Sequence, residues 1–167
     1  MTTNLTKQVK EVTDLAQIKN ITNKIVGEIC WRANLSYGSE LVLHIGAKVP
    51  YSQKSMAGKI KGAWILGAQA TSWRLEENTK IIVTSSDEIE KIKENISLIE
   101  NTTITQFDIG FPDLGITMSF NEKYKLILMP DVNDYDLPYW ELFTPEQMVL
   151  KVGAGAIWSY VSSSSLV

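Results

Sequence analysis

Scarcity says more about this chain than any motif. Among 167 residues there is one cysteine, Cys30, and one histidine, His44. A lone cysteine excludes an intrachain disulfide. One Cys and one His cannot furnish a four-ligand nitrogen–sulfur zinc site. Arginine is nearly missing as well, with only Arg32 and Arg74. No apolar run approaches the roughly 18 residues needed to cross a bilayer. The opening Met1–Lys7 has no apolar signal core, so a cytoplasmic setting without membrane contact is expected. The net charge of −3 gives no electrostatic footprint for wholesale nucleic-acid binding, and only a local basic patch is left open. No G-x-S-x-G context and no phosphate-cradling glycine pattern occurs, so neither a catalytic set nor a cofactor is expected.

What is present is core-forming material. Hydrophobic residues make up 44% of the chain, with five Trp, six Tyr and four Phe. That suits one domain with a sizeable interior. Leu5, Val9, Val12, Leu15, Ile18, Ile21 and Ile25 recur every three or four residues, which predicts an N-terminal helix over about 5–26. Thr13-Asp14 offers a second start signal within it.

From Glu28 the period becomes two. Strands are expected at 29–34, 41–46, 63–69, 72–76 and 80–85, with a turn at Ser36–Ser39 and a loop at 47–61. Ile89, Ile92, Ile96 and Ile99 then predict a helix over 87–99, entered through a Ser85/Glu88 capping box. Further strands are expected at 103–108, 115–120, 124–129, 139–143 and 149–152, and either a last strand or a turn at 157–160. Asn121-Glu122 reads as a tight turn, Pro130–Pro138 as a polar loop and Ser162–Ser165 as a tail.

The two β-rich stretches align with each other. Residues 29–46 match 104–121, and 72–88 match 139–155, so Trp73 falls on Trp140 and Leu75 on Leu142. The spacing between the blocks differs by about eight residues. The expected architecture is α+β: two repeated antiparallel meanders of five strands (about 28–85 and 103–160) sharing one interior, with the 87–99 helix as bridge.

Three constellations bear on function. Asp131, Asp134, Tyr135 and Asp136 lie in a loop dense in carboxylates, and with Tyr139, Trp140 and Glu141 they predict an acidic-aromatic surface. The loop opens like a calcium loop but lacks the glycine and the closing acid that one needs. Lys48, Lys54, Lys59 and Lys61 form the opposite patch around Tyr51 and Met56. Arg32 and Arg74 each follow a Trp, and alternation points each away from it, toward a salt bridge or a shared anion. His44 is expected on the strand surface, and Cys30 as a small buried hydrophobe.

The segment 63–88 resembles one found in small bacterial β-rich proteins, in which a Trp-x-Leu strand and a Trp-Arg strand precede a Ser-containing turn. The matching residues are Trp64, Leu66, Trp73, Arg74, Ser86 and Asp87. Some of those proteins are immunity or accessory proteins of toxin systems, and the resemblance implies a non-catalytic role with a protein partner. The composition supports that expectation, with no catalytic set and two aromatic-bearing loops of opposite sign. A small-ligand pocket between the halves, lined by Trp64, Trp73, Arg74 and Trp140, is the alternative. A small hydrolase using His44 is the third.

Overall fold

The computed structural model describes residues 4–36 and 40–163. The tip of the expected Ser36–Ser39 turn and the second half of the expected Ser162–Ser165 tail lie outside them. The structure is mostly antiparallel sheet with two α-helices, an α+β fold.

Twelve strands form in chain order. They are β1 (Leu5–Gln8), β2 (Ile29–Ser36), β3 (Glu40–Pro50), β4 (Ile60–Ala68), β5 (Ser72–Glu77) and β6 (Lys80–Thr84). After a helix follow β7 (Thr102–Ile109), β8 (Ile116–Phe120), β9 (Tyr124–Met129), β10 (Trp140–Phe143), β11 (Met148–Gly153) and β12 (Ile157–Ser162). Their order across the sheet is β1-β12-β11-β10-β4-β3-β2-β7-β8-β9-β5-β6. The β2–β7 junction is slight, with only Ile29 opposite Thr103 and Cys30 opposite Thr102.

This order corrects the expectation of two self-contained five-stranded meanders. The β5–β6 hairpin leaves its own half to pair with β9, and the β10–β11 hairpin pairs with β4. The cause is visible in the connections. Links that follow β4 and β9 cross from one sheet to the other instead of turning back on themselves. A sheet built this way buries a row of side chains drawn from both halves. One row runs Ala33–Leu43–Leu66–Leu142–Leu150 across β2, β3, β4, β10 and β11. The other runs Phe107–Met118–Leu126–Leu75–Val83 across β7, β8, β9, β5 and β6. All ten residues are buried.

The two halves of the sheet face each other. Four strand steps separate β10 from β7, about 19 Å in a flat sheet. Yet the rings of Trp140 and Phe107 are 6.3 Å apart, edge to face, and the Trp140 indole N–H donates to the Leu114 carbonyl at 2.8 Å. The sheet therefore folds over on itself, and both halves enclose a single apolar core. Trp64, Trp73, Trp140 and Trp158 are all buried in it.

The turns follow their chemistry. Asn78-Thr79 and Asn121-Glu122 each hold two consecutive positive φ angles, the conformation that tight hairpins require. The 87–99 prediction holds as α2 (Ile89–Ile96) continued by a 3-10 turn (Ser97–Ile99), with Ile92, Ile96 and Ile99 buried. Its capping differs. Glu88 occupies the cap without a side-chain bond, and the Ser85 hydroxyl instead accepts the Trp73 N–H at 3.1 Å. The Asp87 carboxylate accepts the Thr84 N–H at 2.8 Å, which holds its carboxyl below the usual range.

The N-terminal helix expected over 5–26 is shorter. Residues 5–8 are β1, paired with β12. A 3-10 turn (Val12–Leu15), α1 (Ala16–Thr22) and a second 3-10 turn (Asn23–Ile25) follow. The chain turns helical where Asp14 accepts the N–H groups of Lys10 and Glu11, at the Thr13-Asp14 signal. The free edge of β12 gives Leu5–Gln8 a ladder that a first helical turn, costly to nucleate, does not match. The 47–61 loop is also shorter than expected. Lys48, Val49 and Pro50 pair with Gly62, Lys61 and Ile60, leaving 51–59 as the connection. A bulge between Ile45 and Lys48, with Gly46 at φ +80°, shifts the alternation there and hides the strand.

Candidate functional site

Two surface regions combine exposed apolar or aromatic groups with charge. The first is the 130–138 connection between β9 and β10. Aspartates build it: the Asp131 carboxylate accepts the Asn133 N–H, and that of Asp134 accepts the Asp136 N–H, both at 3.0 Å. The Asp134 N–H bonds the Asp131 carbonyl at 3.0 Å. Such Asx turns hold the loop with one carboxylate oxygen each and leave the charge outward. None of Asp131, Asp134 and Asp136 forms a salt bridge among the described residues. No group of three or more metal-ligating side chains occurs among them either.

This loop forms one wall of an open cleft of about 510 Å³, through Tyr135, Asp136, Leu137 and Pro138. The opposite wall comes from β1, β11 and β12 and includes Thr6, Lys151, Ile157 and Ser159. Tyr135 is 74% exposed, and Val132, Leu137 and Ile157 are exposed too. The acidic-aromatic surface expected from the sequence is thus half right. Tyr135 stands on it, but Tyr139 and Trp140 are buried, Trp140 because its position on β10 faces the core. Burial, then Tyr135, Asp131 and Asp134, push the Tyr139 hydroxyl up.

The second region lies on β2, β3 and β4. A bulge between Cys30 and Arg32 breaks the alternation of β2. Arg32 therefore does not point away from its Trp, as period two predicts, but lies over the Trp31 ring at 4.9 Å. The Lys48 ammonium is 5.0 Å from the same ring, and the Lys61 ammonium lies 5.3 Å over Tyr51. Lys54 and Lys59 are exposed on the neighbouring connection, Lys54 in a 3-10 turn (Lys54–Met56). None of these five cations pairs with a carboxylate among the described residues.

His44 sits beneath this face. It is only 6% exposed, which corrects its expected place on the strand surface. Trp31 covers it, ring to ring at 5.3 Å. Its Nδ1 accepts the Gly62 N–H at 3.0 Å, so the proton of the neutral ring is on Nε2. Burial, then Arg32 and Lys61, lower its pKa to about 4. An imidazole so surrounded is neutral near pH 7. With Nδ1 held by a backbone donor and cations as neighbours, it lacks the carboxylate that orients a general base.

The remaining sequence candidates take structural roles. Trp64, Trp73 and Trp140 fill the core, and neither cleft found is lined by them. Arg74 pairs with Glu76 and also reaches the Met129 sulfur at 3.3 Å. Three strands separate Arg32 on β2 from Arg74 on β5 in the sheet order. Burial, then Glu100, push the Cys30 thiol up to about 12, which leaves it an inert hydrophobe. The sequence reading missed Trp31 as a platform for cations and missed Leu137 and Ile157. A signal existed only for the first, in Gly46, whose bulge brings Lys48 toward Trp31.

No helix among the described residues is long and apolar enough to cross a membrane. No protein-family model, curated protein or solved structure matches the chain.

Proposed function

We propose that this protein is a non-catalytic binding protein, of the immunity or accessory type, that engages a partner protein through the cleft at the 130–138 connection. The observation that carries this reading is the meeting of exposed Tyr135, Leu137 and Ile157 with Asp136 in one cleft, on a loop whose Asp131, Asp134 and Asp136 form no salt bridge among the described residues. Aromatic and aliphatic groups supply contact area, and the carboxylates steer and select. The matching partner segment presents an apolar side chain flanked by lysine or arginine.

Peptides displayed on phage and panned against the protein test this. The reading expects enrichment of apolar residues flanked by basic ones. It also expects Tyr135→Ser combined with Leu137→Ser to abolish their capture without loss of fold. Enrichment that survives both substitutions, or none at all, defeats it.

We infer also that the halves descend from a duplicated unit whose terminal hairpins exchanged places. Exchanging β2–β6 for β7–β11 reverses the strand order between β11 and β6, and this supports it. So does the register, since Leu75 opposes Val83 as Leu142 opposes Leu150. Exchange of an element between equivalent units is a low-cost rearrangement because each contact is kept.

A further inference from the structure

We propose that the face formed by Trp31, Arg32, Lys48 and Lys61 binds a phosphate-bearing anion. This face carries unused positive charge. Arg32 and Lys48 lie over one indole ring, so their cationic heads are within about 10 Å of each other. A run of two or three phosphates bridges such a gap, and Arg with Lys is the pairing that reads phosphate oxygens. The surrounding acids do not quench this face. Glu100 has one carboxylate oxygen accepting the Ala33 N–H at 3.0 Å, and Glu28 lies against Gly46. Neither forms an ion pair with these cations.

Two further observations point to a ligand. The Trp31 indole N–H, on the ring that carries both cations, is buried and has no acceptor among the described residues. A buried donor without an acceptor is destabilising, and an anion's oxygen brought to the ring edge would relieve it. The rings also hold the cations in place without neutralising them, since a π face attracts a cation but carries no net charge. An acidic side chain in either position would fix the geometry and abolish the attraction for an anion. This site is separate from the β9–β10 cleft and does not rest on the reading given for it.

The chain's single histidine reports directly on this face. Its imidazole proton resonances, followed at pH 7 and constant ionic strength, give the binding curve. Sodium tripolyphosphate, a single-stranded oligothymidylate and an oligoglutamate peptide are titrated in turn. The proposal expects a saturable shift of the His44 resonances with tripolyphosphate or the oligothymidylate. The better ligand of the two tells a free oligophosphate from a phosphodiester chain. Arg32→Gln with Lys48→Gln should weaken that binding roughly tenfold or more. Lys48→Gln alone, at an exposed position, serves if the double variant does not fold. Absence of a saturable shift with either phosphate ligand overturns the proposal. So does equal binding of oligoglutamate, or affinity unchanged in the variants.

Discussion

Set side by side, the two halves differ in few places, and the candidate chemistry lies at those places. The β3–β4 hairpin runs long, through an 11-residue strand and the 51–59 connection. Its counterpart β8–β9 closes on a tight turn at Asn121-Glu122. The Lys48, Lys54, Lys59 and Lys61 group exists only because of that added length. Conversely, β4 reaches β5 through three residues, 69–71, whereas β9 reaches β10 through ten, 130–139. Those ten carry Asp131, Asp134, Tyr135, Asp136 and Leu137. The flanks differ as well. β6 ends its sheet with Ile81 exposed, while β11 is covered by β12 and β1, whose edges form the far wall of the cleft. Shared positions build the core, and unshared segments supply surface groups with unspent charge or apolar area.

That division can be broken experimentally. The largest effects belong to the shared rows. Leu142→Ala and Leu75→Ala occupy equivalent, fully buried positions, and each should cost roughly 3–4 kcal/mol. Denaturant unfolding that finds one of them near neutral would deny the equivalence. Next come the paired tryptophans, where the halves part. The Trp140 indole N–H bonds the Leu114 carbonyl, whereas the Trp73 indole N–H, unlike its backbone N–H, has no partner among the described residues. Trp140→Phe should therefore cost about 1–2 kcal/mol more than Trp73→Phe, because only the former strands an acceptor. Equal losses in thermal unfolding would show that the bond contributes nothing.

The third effect concerns His44 and acid. Its native pKa of about 4 lies below the ordinary 6.5, so the unfolded chain takes up the proton first. Stability is complete above pH 6.5 and declines as pH falls from 6.5 toward 4. A loss of roughly 2 kcal/mol is expected, after allowing for solvent screening of Arg32 and Lys61. In His44→Phe that particular decline should vanish between those pH values. A variant that retains the full slope would assign it to other groups.

Much of the fold was legible in the sequence. Period-two patterning in Leu114–Phe120, the Ile89–Ile99 stripe and the Asn-containing turns are local signals, and local physics decides them. The exchange of hairpins was not legible, because nothing in residues 69–71 or 130–139 says which sheet the next strand joins. His44 was misplaced for a similar reason. Alternation sets it opposite Leu43 and Ile45, but Trp31 from a bulged neighbour covers it. The N-terminal helix failed where a free strand edge outbid a short apolar stripe. Of the sites, the charges of both loops were readable, and their apolar partners were not. Ile157 and Leu137 meet only through tertiary structure.

One measurement tests the central division most directly. Residues 131–137 are replaced by a three-residue link like the one joining β4 to β5. Thermal unfolding and capture of the panned basic-apolar peptides are then followed together. The account predicts a cooperative transition close to that of the intact protein and complete loss of peptide capture. An unfolded product, or capture that continues undiminished, would contradict it.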